Sequence, residues 1–216
     1  MKIVNKKIQV IILCGLDGSG KTTQALKLIK FLQNKKIKCK YVHLRYPNIL
    51  ILPFAGLVKM MGMSVYPLPI KKKNAGIKNL NEHKFLVSLW KRFLYLDFKF
   101  AKFFKISRPI KQGYVMILDR YVIDALTDLV DIMGEKYMQE LSKRFLKLIP
   151  LNSKIFYLDI EPQISYQRRK DEEIKTLGNR RRLYHDLSKI LPICIIDAKK
   201  PIDEIHSYIL EECNLK

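Results

Sequence analysis

Residues 15–22 read Gly15-Leu16-Asp17-Gly18-Ser19-Gly20-Lys21-Thr22 and match the pattern G-x-x-x-x-G-K-[S/T] in full. They follow an apolar run at residues 8–14 that is typical of a buried strand, and they open an amphipathic stretch at Lys21. Glycines let such a loop wrap around a phosphate, while its N–H groups and the helix N-terminus favour negative charge. The segment therefore predicts a phosphate-binding loop, the P-loop, between a strand and a helix.

The rest of the chain alternates in the same way. Further short apolar, β-branched runs, typical of buried strands, lie at residues 41–44, 114–118, 155–160 and 193–196. Amphipathic stretches, typical of helices, lie at residues 21–34, 81–104, 135–148, 163–170, 180–191 and 201–212. Strands that alternate with helices predict an α/β fold, a parallel sheet with helices on both faces. We expect one domain over residues 1–216.

Two segments interrupt this alternation. Residues 47–78 begin at Pro47 and contain three further prolines and then Lys71-Lys72-Lys73, which favours a broken helix followed by a mobile basic loop. Residues 170–182 are densely charged and include Gly178, which favours an exposed flap. Ligands of α/β proteins bind at the carboxyl ends of the strands, where such segments lie.

The composition excludes several classes of protein. Apolar residues make up 48% of the chain, which excludes wholesale disorder. Every apolar stretch long enough to approach a membrane span is broken by charge, proline or glycine. The net charge of +21 fits a protein that binds polyanions, whether nucleic acid or phosphorylated substrates, and equally fits a solvated basic surface.

The cysteines give no sign of a disulfide framework or a zinc site. Cys14, Cys39, Cys194 and Cys213 are widely spaced and form no C-x-x-C pair. We read them as reduced thiols, which predicts a cytoplasmic protein.

Several residues could carry phosphate chemistry. Lys21 would reach the β and γ phosphates of ATP, and the Thr22 hydroxyl would coordinate Mg²⁺. Asp119 closes the third predicted strand, where a carboxylate lies near the P-loop metal; an alternative is that it caps the following helix. The Arg120 guanidinium could bridge two phosphates bidentately, which lysine does less well.

Other candidates are less specific. Arg45 follows the second predicted strand, and Asp17 lies inside the P-loop, where it could equally stabilise the turn. Two arginine-rich clusters, residues 168–170 and 180–182, bracket the expected flap. A closing flap can supply cations to a transferring phosphoryl group and exclude water, although charge runs are also ordinary solvated faces.

Four blocks of sequence resemble the thymidylate kinases, a family of P-loop nucleoside monophosphate kinases. Residues 15–24, GLDGSGKTTQ, resemble that family's P-loop, and Asp119-Arg120-Tyr121 resembles its DRY motif. Tyr157-Leu158-Asp159, with Pro162 and Arg168, resembles the strand and helix that lead into its lid. Ile196-Asp197-Ala198, with Pro201-Ile202, resembles its last strand and adenine-side turn. The blocks occur in the family's order over nearly the whole chain.

The resemblance implies a five-stranded sheet in order 2-3-1-4-5, a short lid at about residues 168–182 and a homodimer formed through the helix face at 85–104. It also implies transfer of a phosphoryl group from ATP, with Mg²⁺, to a nucleoside monophosphate, with dTMP favoured. The implied catalytic residues are Lys21, Arg120, Arg168 and Arg169, with Arg168 alternatively stacking on adenine. The implied ATP-binding residues are Gly15, Asp17, Gly18, Ser19, Gly20, Lys21, Thr22, Thr23, Ala198 and Lys199. The implied acceptor-binding residues are Asp17, Arg45, Arg120 and Asp124, and the metal ligands are Thr22 and Asp119.

The sequence departs from this family in two respects, of which one is a flap shorter than the family's and the other is a pair of acidic residues. Asp124 stands where thymidylate kinases have a small polar residue near the base, and Asp128 follows four residues later. Two carboxylates would make the pocket acidic, which leaves other acceptors open. A polynucleotide 5′-hydroxyl kinase and a non-enzymatic, nucleotide-sensing protein that binds nucleic acid are the alternative readings, and no membrane partner is expected.

Overall fold

The computed structural model describes residues 8–47, 49, 53, 60 and 84–215. The chain divides into two compact units, one formed by Met1–Arg45 with Phe104–Lys216 and the other by Tyr46–Phe103. The broken helix and basic loop expected at residues 47–78 lie almost entirely outside the described residues. The single-domain organisation stays a prediction.

The described secondary structure alternates between strands and helices. In chain order the elements are β1 (Val10–Cys14), α1 (Lys21–Asn34), β2 (Cys39–His43), α2 (Lys84–Ala101), a π-helical turn (Lys102–Ser107), α3 (Arg108–Lys111), β3 (Val115–Asp119), α4 (Val122–Met133), a 3-10 turn (Glu135–Tyr137), α5 (Met138–Leu146), β4 (Ser153–Asp159), α6 (Pro162–Arg168), α7 (Ile174–Ile190), β5 (Ile193–Asp197) and α8 (Ile202–Glu212).

The strands of the first unit form one parallel sheet in the order β2-β3-β1-β4-β5. The predicted fold class and strand order are therefore confirmed. β1 and β3 are buried along their whole length, as expected of central strands covered on both faces, whereas β2 and β5 lie at the edges and are partly exposed.

The strand register brings the candidate residues to one edge of the sheet. Leu13 of β1 pairs with Asp119 of β3, and His43 of β2 pairs with the same Asp119. Asp159 of β4 pairs with Asp197 of β5. Because all strands are parallel, their carboxyl ends meet there, and the P-loop leaves β1 at this edge.

Two helices differ from the sequence prediction. α4 was expected only as the helix that follows Asp119 and was given no range, because residues 121–130 are all buried and Asp124, Thr127 and Asp128 interrupt the apolar period. α7 begins at Ile174, not at residue 180, so most of the segment expected to form an exposed flap, residues 170–182, is helical; whether it acts as a flap stays a prediction. Its buried stripe includes Arg180, a residue that an apolar pattern does not reveal.

The second unit contains α2, within the range predicted as a helix. Leu94, Phe98 and Ala101 are buried at a spacing of three or four residues, as in an amphipathic helix. The proposed dimer face on this helix stays a prediction. Among the described helices, none is both long and apolar enough to cross a membrane.

Two glycines allow a test of how closely the start of the P-loop, just after β1, packs against β4. Gly15 has φ +139°, and a Cβ added there would lie 2.7 Å from the Leu158 carbonyl oxygen of β4. Gly15→Ala should therefore lower the free energy of unfolding by about 2 kcal/mol or more. Gly178 lies inside α7 with open space around it, so Gly178→Ala should raise it by about 0.5–1 kcal/mol. Urea unfolding of both variants checks this; equal effects would contradict the close approach of the two strands.

Candidate functional site

The P-loop depends on backbone conformations that favour glycine. Gly15, Gly18 and Gly20 have φ values of +139°, +79° and +90°. Gly20 caps the N-terminus of α1 in a left-handed conformation, so that α1 begins at Lys21. The loop therefore ends on a helix N-terminus, the arrangement that favours a bound anion.

Lys21 is folded back across its own loop. Its ammonium donates to the Leu16 carbonyl oxygen at 2.5 Å and to the Ser19 hydroxyl at 3.2 Å. Burial and the nearby Arg120 guanidinium lower the pKa of Lys21 to about 8. A phosphate in the loop would stabilise the charged form of this amine.

Asp119 lies at the carboxyl end of β3 beside the first turn of α1. Its Oδ2 accepts hydrogen bonds from the Thr22 hydroxyl at 2.6 Å and from the Tyr41 hydroxyl at 2.9 Å. Burial alone would raise the pKa of Asp119, but these bonds and the nearby His43 lower it to about 2. Asp119 does not cap α4, because the N-cap of that helix is Tyr121.

The pair formed by Thr22 and Asp119 fits a magnesium ion. Asp119 is ionised at neutral pH, and its Oδ1 is buried with no hydrogen-bond partner within the described part of the chain. The same described residues contain no cluster of three or more His, Cys, Asp or Glu that could hold a metal. Mg²⁺ is commonly held by one or two protein oxygens plus substrate phosphates, which is what this pair could support.

A cavity of about 330 Å³ lies beside the P-loop. Its lining includes many of the residues expected to bind ATP: Gly18, Ser19, Gly20, Thr23, Ala198 and Lys199. Arg168 also lines it and donates to the Gly18 carbonyl oxygen at 2.9 Å. The structure thus brings the P-loop, the end of α6 and the turn after β5 around one space.

Arg120 is the most highly connected of the predicted catalytic residues. It has φ +68° and is buried. Its Nη1 donates to the Gly15 carbonyl oxygen at 3.3 Å and to Asp124 Oδ1 at 2.8 Å, while its Nη2 bonds to Asp17 Oδ1. Burial alone would raise the pKa of Asp17, but Arg120 and Lys21 hold it below the usual value.

Arg45 extends the same network on the other side of Asp17. Its Nη1 lies 3.7 Å from Asp17 Oδ2, and its Nε donates to Asp128 Oδ2 at 3.1 Å. Asp128 also accepts from the Nη2 of Arg180, whose Nη1 contacts both oxygens of Glu172 at 2.7 Å. The predicted acceptor residues Asp17, Arg45, Arg120 and Asp124 therefore lie in one array of alternating charges.

The arginines around the expected lid separate into different roles. Arg168 lies over the P-loop, and Arg169 follows α6 as an exposed residue. Arg181 forms a bidentate pair with Asp159 at 2.8 Å, whereas Arg182 pairs with Glu135 at the surface. The turn at residues 169–173 joins α6 to α7, and whether it acts as a lid stays a prediction.

Sequence reasoning missed several contributors to this site. The Tyr184 hydroxyl donates to Asp124 Oδ1 at 2.8 Å, and the Tyr184 ring stacks on Tyr157 at 4.7 Å between centroids. The sequence singled out neither Tyr184 nor Glu172. No local motif marks Tyr184, because its partner lies 60 residues away and depends on how α7 packs on α4, and Glu172 lies among the many charged residues of the expected flap.

The comparisons with known proteins point in the same direction. The chain is 24% identical to the thymidylate kinase of Symbiobacterium thermophilum over 211 residues, which cover 90% of this chain and 87% of that protein. It is 24% identical to the thymidylate kinase of Caldicellulosiruptor saccharolyticus over 219 residues, which cover 92% of each. Both relatives are distant, and both bear the name of the family that the sequence blocks resemble. No family model matches the chain.

The pKa of Lys21 gives a test of its contact with phosphate. Because that pKa is about 8 without ligand and a phosphate would raise it, ATP binding should take up protons, increasingly so from pH 7.5 to 9. At pH 8 we expect an uptake of about half a proton. Calorimetry in buffers of different ionisation enthalpy measures it, with Lys21→Arg, which stays protonated, as the control. Uptake that does not change over this pH range would contradict the contact.

Proposed function

We propose that this chain is an ATP-dependent nucleoside monophosphate kinase, with dTMP as the favoured acceptor and dTDP as the product. The observation that carries the proposal is the position of Asp17. This P-loop residue contacts both Arg120 and Arg45, so two guanidinium groups stand directly beside the loop that would hold the ATP phosphates.

The donor side of the site would take ATP. The cavity beside the P-loop continues to Ala198 and Lys199, the turn that the resemblance assigns to adenine. Lys21 would exchange its contact with the Leu16 carbonyl oxygen for the β and γ phosphates. Thr22 and Asp119 would hold Mg²⁺, which supplies neutralisation of charge on the phosphates when bound.

The acceptor side would take a monophosphate. Two guanidinium groups that share one carboxylate can instead share a phosphate, because both anions present paired oxygens to a planar donor fork. Asp17, released from Arg120, would be available for the sugar 3′-hydroxyl that the resemblance assigns to it. The choice of dTMP rests on the two named relatives and on the sequence blocks.

The chemistry requires no covalent enzyme intermediate. An oxygen of the acceptor phosphate attacks the γ phosphorus of ATP, the bond from that phosphorus to the bridging oxygen breaks, and ADP leaves. Lys21 and Arg120 would neutralise the transferring group from either side. Arg168 and Arg169, at the end of α6, would complete the cationic cover and exclude water.

A polynucleotide 5′-hydroxyl kinase remains the second candidate, favoured by the net charge of +21. Contacts with several phosphates would make polynucleotide binding weaken steeply with salt. A closed mononucleotide pocket would respond far less. The salt dependence of acceptor affinity therefore separates the two functions.

The decisive experiment measures ADP release from ATP and Mg²⁺ with a panel of acceptors. The panel contains dTMP, dUMP, other nucleoside monophosphates, thymidine and a 5′-hydroxyl oligonucleotide. We expect strong turnover with dTMP. Turnover with the oligonucleotide alone would select the second candidate, and no turnover with any monophosphate would refute the proposal.

A substitution at Arg120 tests the assignment of that residue. Arg120→Ala should reduce kcat about 100- to 1,000-fold, because a charge-stabilising donor is lost from the transition state, while ATP affinity should change little. The control is Arg182→Ala, which removes an exposed arginine paired with Glu135. Steady-state kinetics and ATP titration measure both. Turnover by Arg120→Ala at the level of the control would refute the role.

A further inference from the structure

Asp124 and Asp128 are the two carboxylates that depart from the family pattern. They lie one turn apart on α4, and both are buried, with 1% and 4% exposure. The sequence assigned Asp124 to acceptor binding and left Asp128 without a role. Buried carboxylates need partners, so their contacts show what each does.

Both oxygens of Asp124 are engaged by the protein. Oδ1 accepts from Arg120 Nη1 and from the Tyr184 hydroxyl, each at 2.8 Å. Oδ2 lies 3.4 Å from the backbone N–H of Tyr121, at the start of α4. Asp124 therefore faces Arg120 and the backbone of its own helix, and its exposure is too small to present an oxygen to a base.

Asp128 makes the equivalent contacts with Arg45. Oδ2 accepts from Arg45 Nε at 3.1 Å, and Oδ1 accepts from Arg45 Nη2 at 3.2 Å and from Arg180 Nη2. Two parallel bonds fix the plane of the Arg45 guanidinium. Arg180 is in turn held by Glu172 of the turn before α7.

The two sets of contacts repeat at the same spacing on two helices. Arg180 and Tyr184 are four residues apart on α7, as Asp124 and Asp128 are on α4, so the helices run antiparallel where they meet. We infer that Asp124 and Asp128 are positioning residues, which orient Arg120 and Arg45 for the acceptor phosphate and are themselves anchored by Tyr184 and Arg180 of α7. This inference rests on the proposed function.

The pairing of Asp124 and Asp128 with arginines determines how much negative charge they present to the acceptor base. The negative charge of both carboxylates is balanced by the buried guanidinium groups of Arg120 and Arg180 and the half-buried one of Arg45, so these residues do not make the base side of the pocket acidic. The departure from the family pattern therefore changes how the arginines are held and leaves a neutral base such as thymine acceptable.

The first experiment removes one anchor with a matched control. Tyr184→Phe deletes only the hydroxyl on Asp124, whereas Tyr157→Phe deletes the hydroxyl of the stacked partner ring, which bonds to Asp159 instead. We expect Tyr184→Phe to raise the KM for the monophosphate about 3- to 10-fold, with the KM for ATP changed less than about 2-fold. A similar rise in both variants, or a rise in the KM for ATP alone, would overturn the inference.

The second experiment tests the Arg180 anchor through its partner Glu172. Glu172→Gln removes a charge that reaches Arg45 only through Arg180 and Asp128, and Glu173→Gln removes a neighbouring charge that makes no ion pair within the described residues. We expect Glu172→Gln alone to raise the acceptor KM. In the double variant with Asp128→Asn, its effect should disappear, because the connection is already broken. Fully additive effects would overturn the inference.

A third measurement does not depend on activity. Arg45 Nε–H donates to Asp128, so the proton on this nitrogen should exchange slowly with water in the wild-type protein. The Nε–H signal of Arg45 is assigned in the ¹H–¹⁵N spectrum by its loss in Arg45→Lys. Asp128→Asn should accelerate this exchange at least several-fold. Unchanged exchange would refute the inference even if dTMP is a good substrate, and accelerated exchange would uphold the positioning contact even if every monophosphate fails as an acceptor.

Discussion

The placement of the Arg120 guanidinium is the constraint on which the site depends. The residue adopts a left-handed conformation that costs an ordinary side chain roughly 1 kcal/mol, and its backbone N–H donates to the Leu13 carbonyl oxygen at 2.9 Å. That conformation turns the chain sharply between β3 and α4 and directs the side chain under the P-loop, where it meets Gly15, Asp17 and Asp124. A strained backbone that is retained at this position is consistent with a functional demand on the side chain.

The charges around Arg120 are tolerated because each has a partner. A lone buried charge would cost several kcal/mol, whereas alternating carboxylates and guanidinium groups stabilise one another. The P-loop contributes Asp17, β2 leads into Arg45, and α7 contributes Arg180 and Tyr184. α7, which overlaps the expected lid in sequence, is thus joined through these contacts to the charged groups beside the P-loop.

Sequence patterns predicted what local chemistry determines. The five strands could be predicted from apolar runs, and the P-loop could be predicted from the spacing of its glycines. Both patterns lie within short stretches of consecutive residues. β2 was misplaced by two residues because Lys40 interrupts its apolar run. The extent of α4 was not predicted, because Asp124 and Asp128 occupy buried positions that usually hold apolar side chains. The partners of these acids on α7, Arg180 and Tyr184, could not be predicted, since the register between α4 and α7 is set by packing of segments 52–60 residues apart in the chain.

The three-residue chain Arg45, Asp128 and Arg180 constrains how this sequence can diverge. Loss of Asp128 alone would remove the carboxylate that lies between two guanidinium groups, and would leave Arg180 to Glu172 and the half-buried Arg45 to Asp17. Replacement of either arginine alone would leave the buried Asp128 carboxylate with one of these two guanidinium partners instead of both. Descendants of this protein should therefore change these positions together or keep all three, so that Arg45 and a helix far from it in sequence are inherited as one unit.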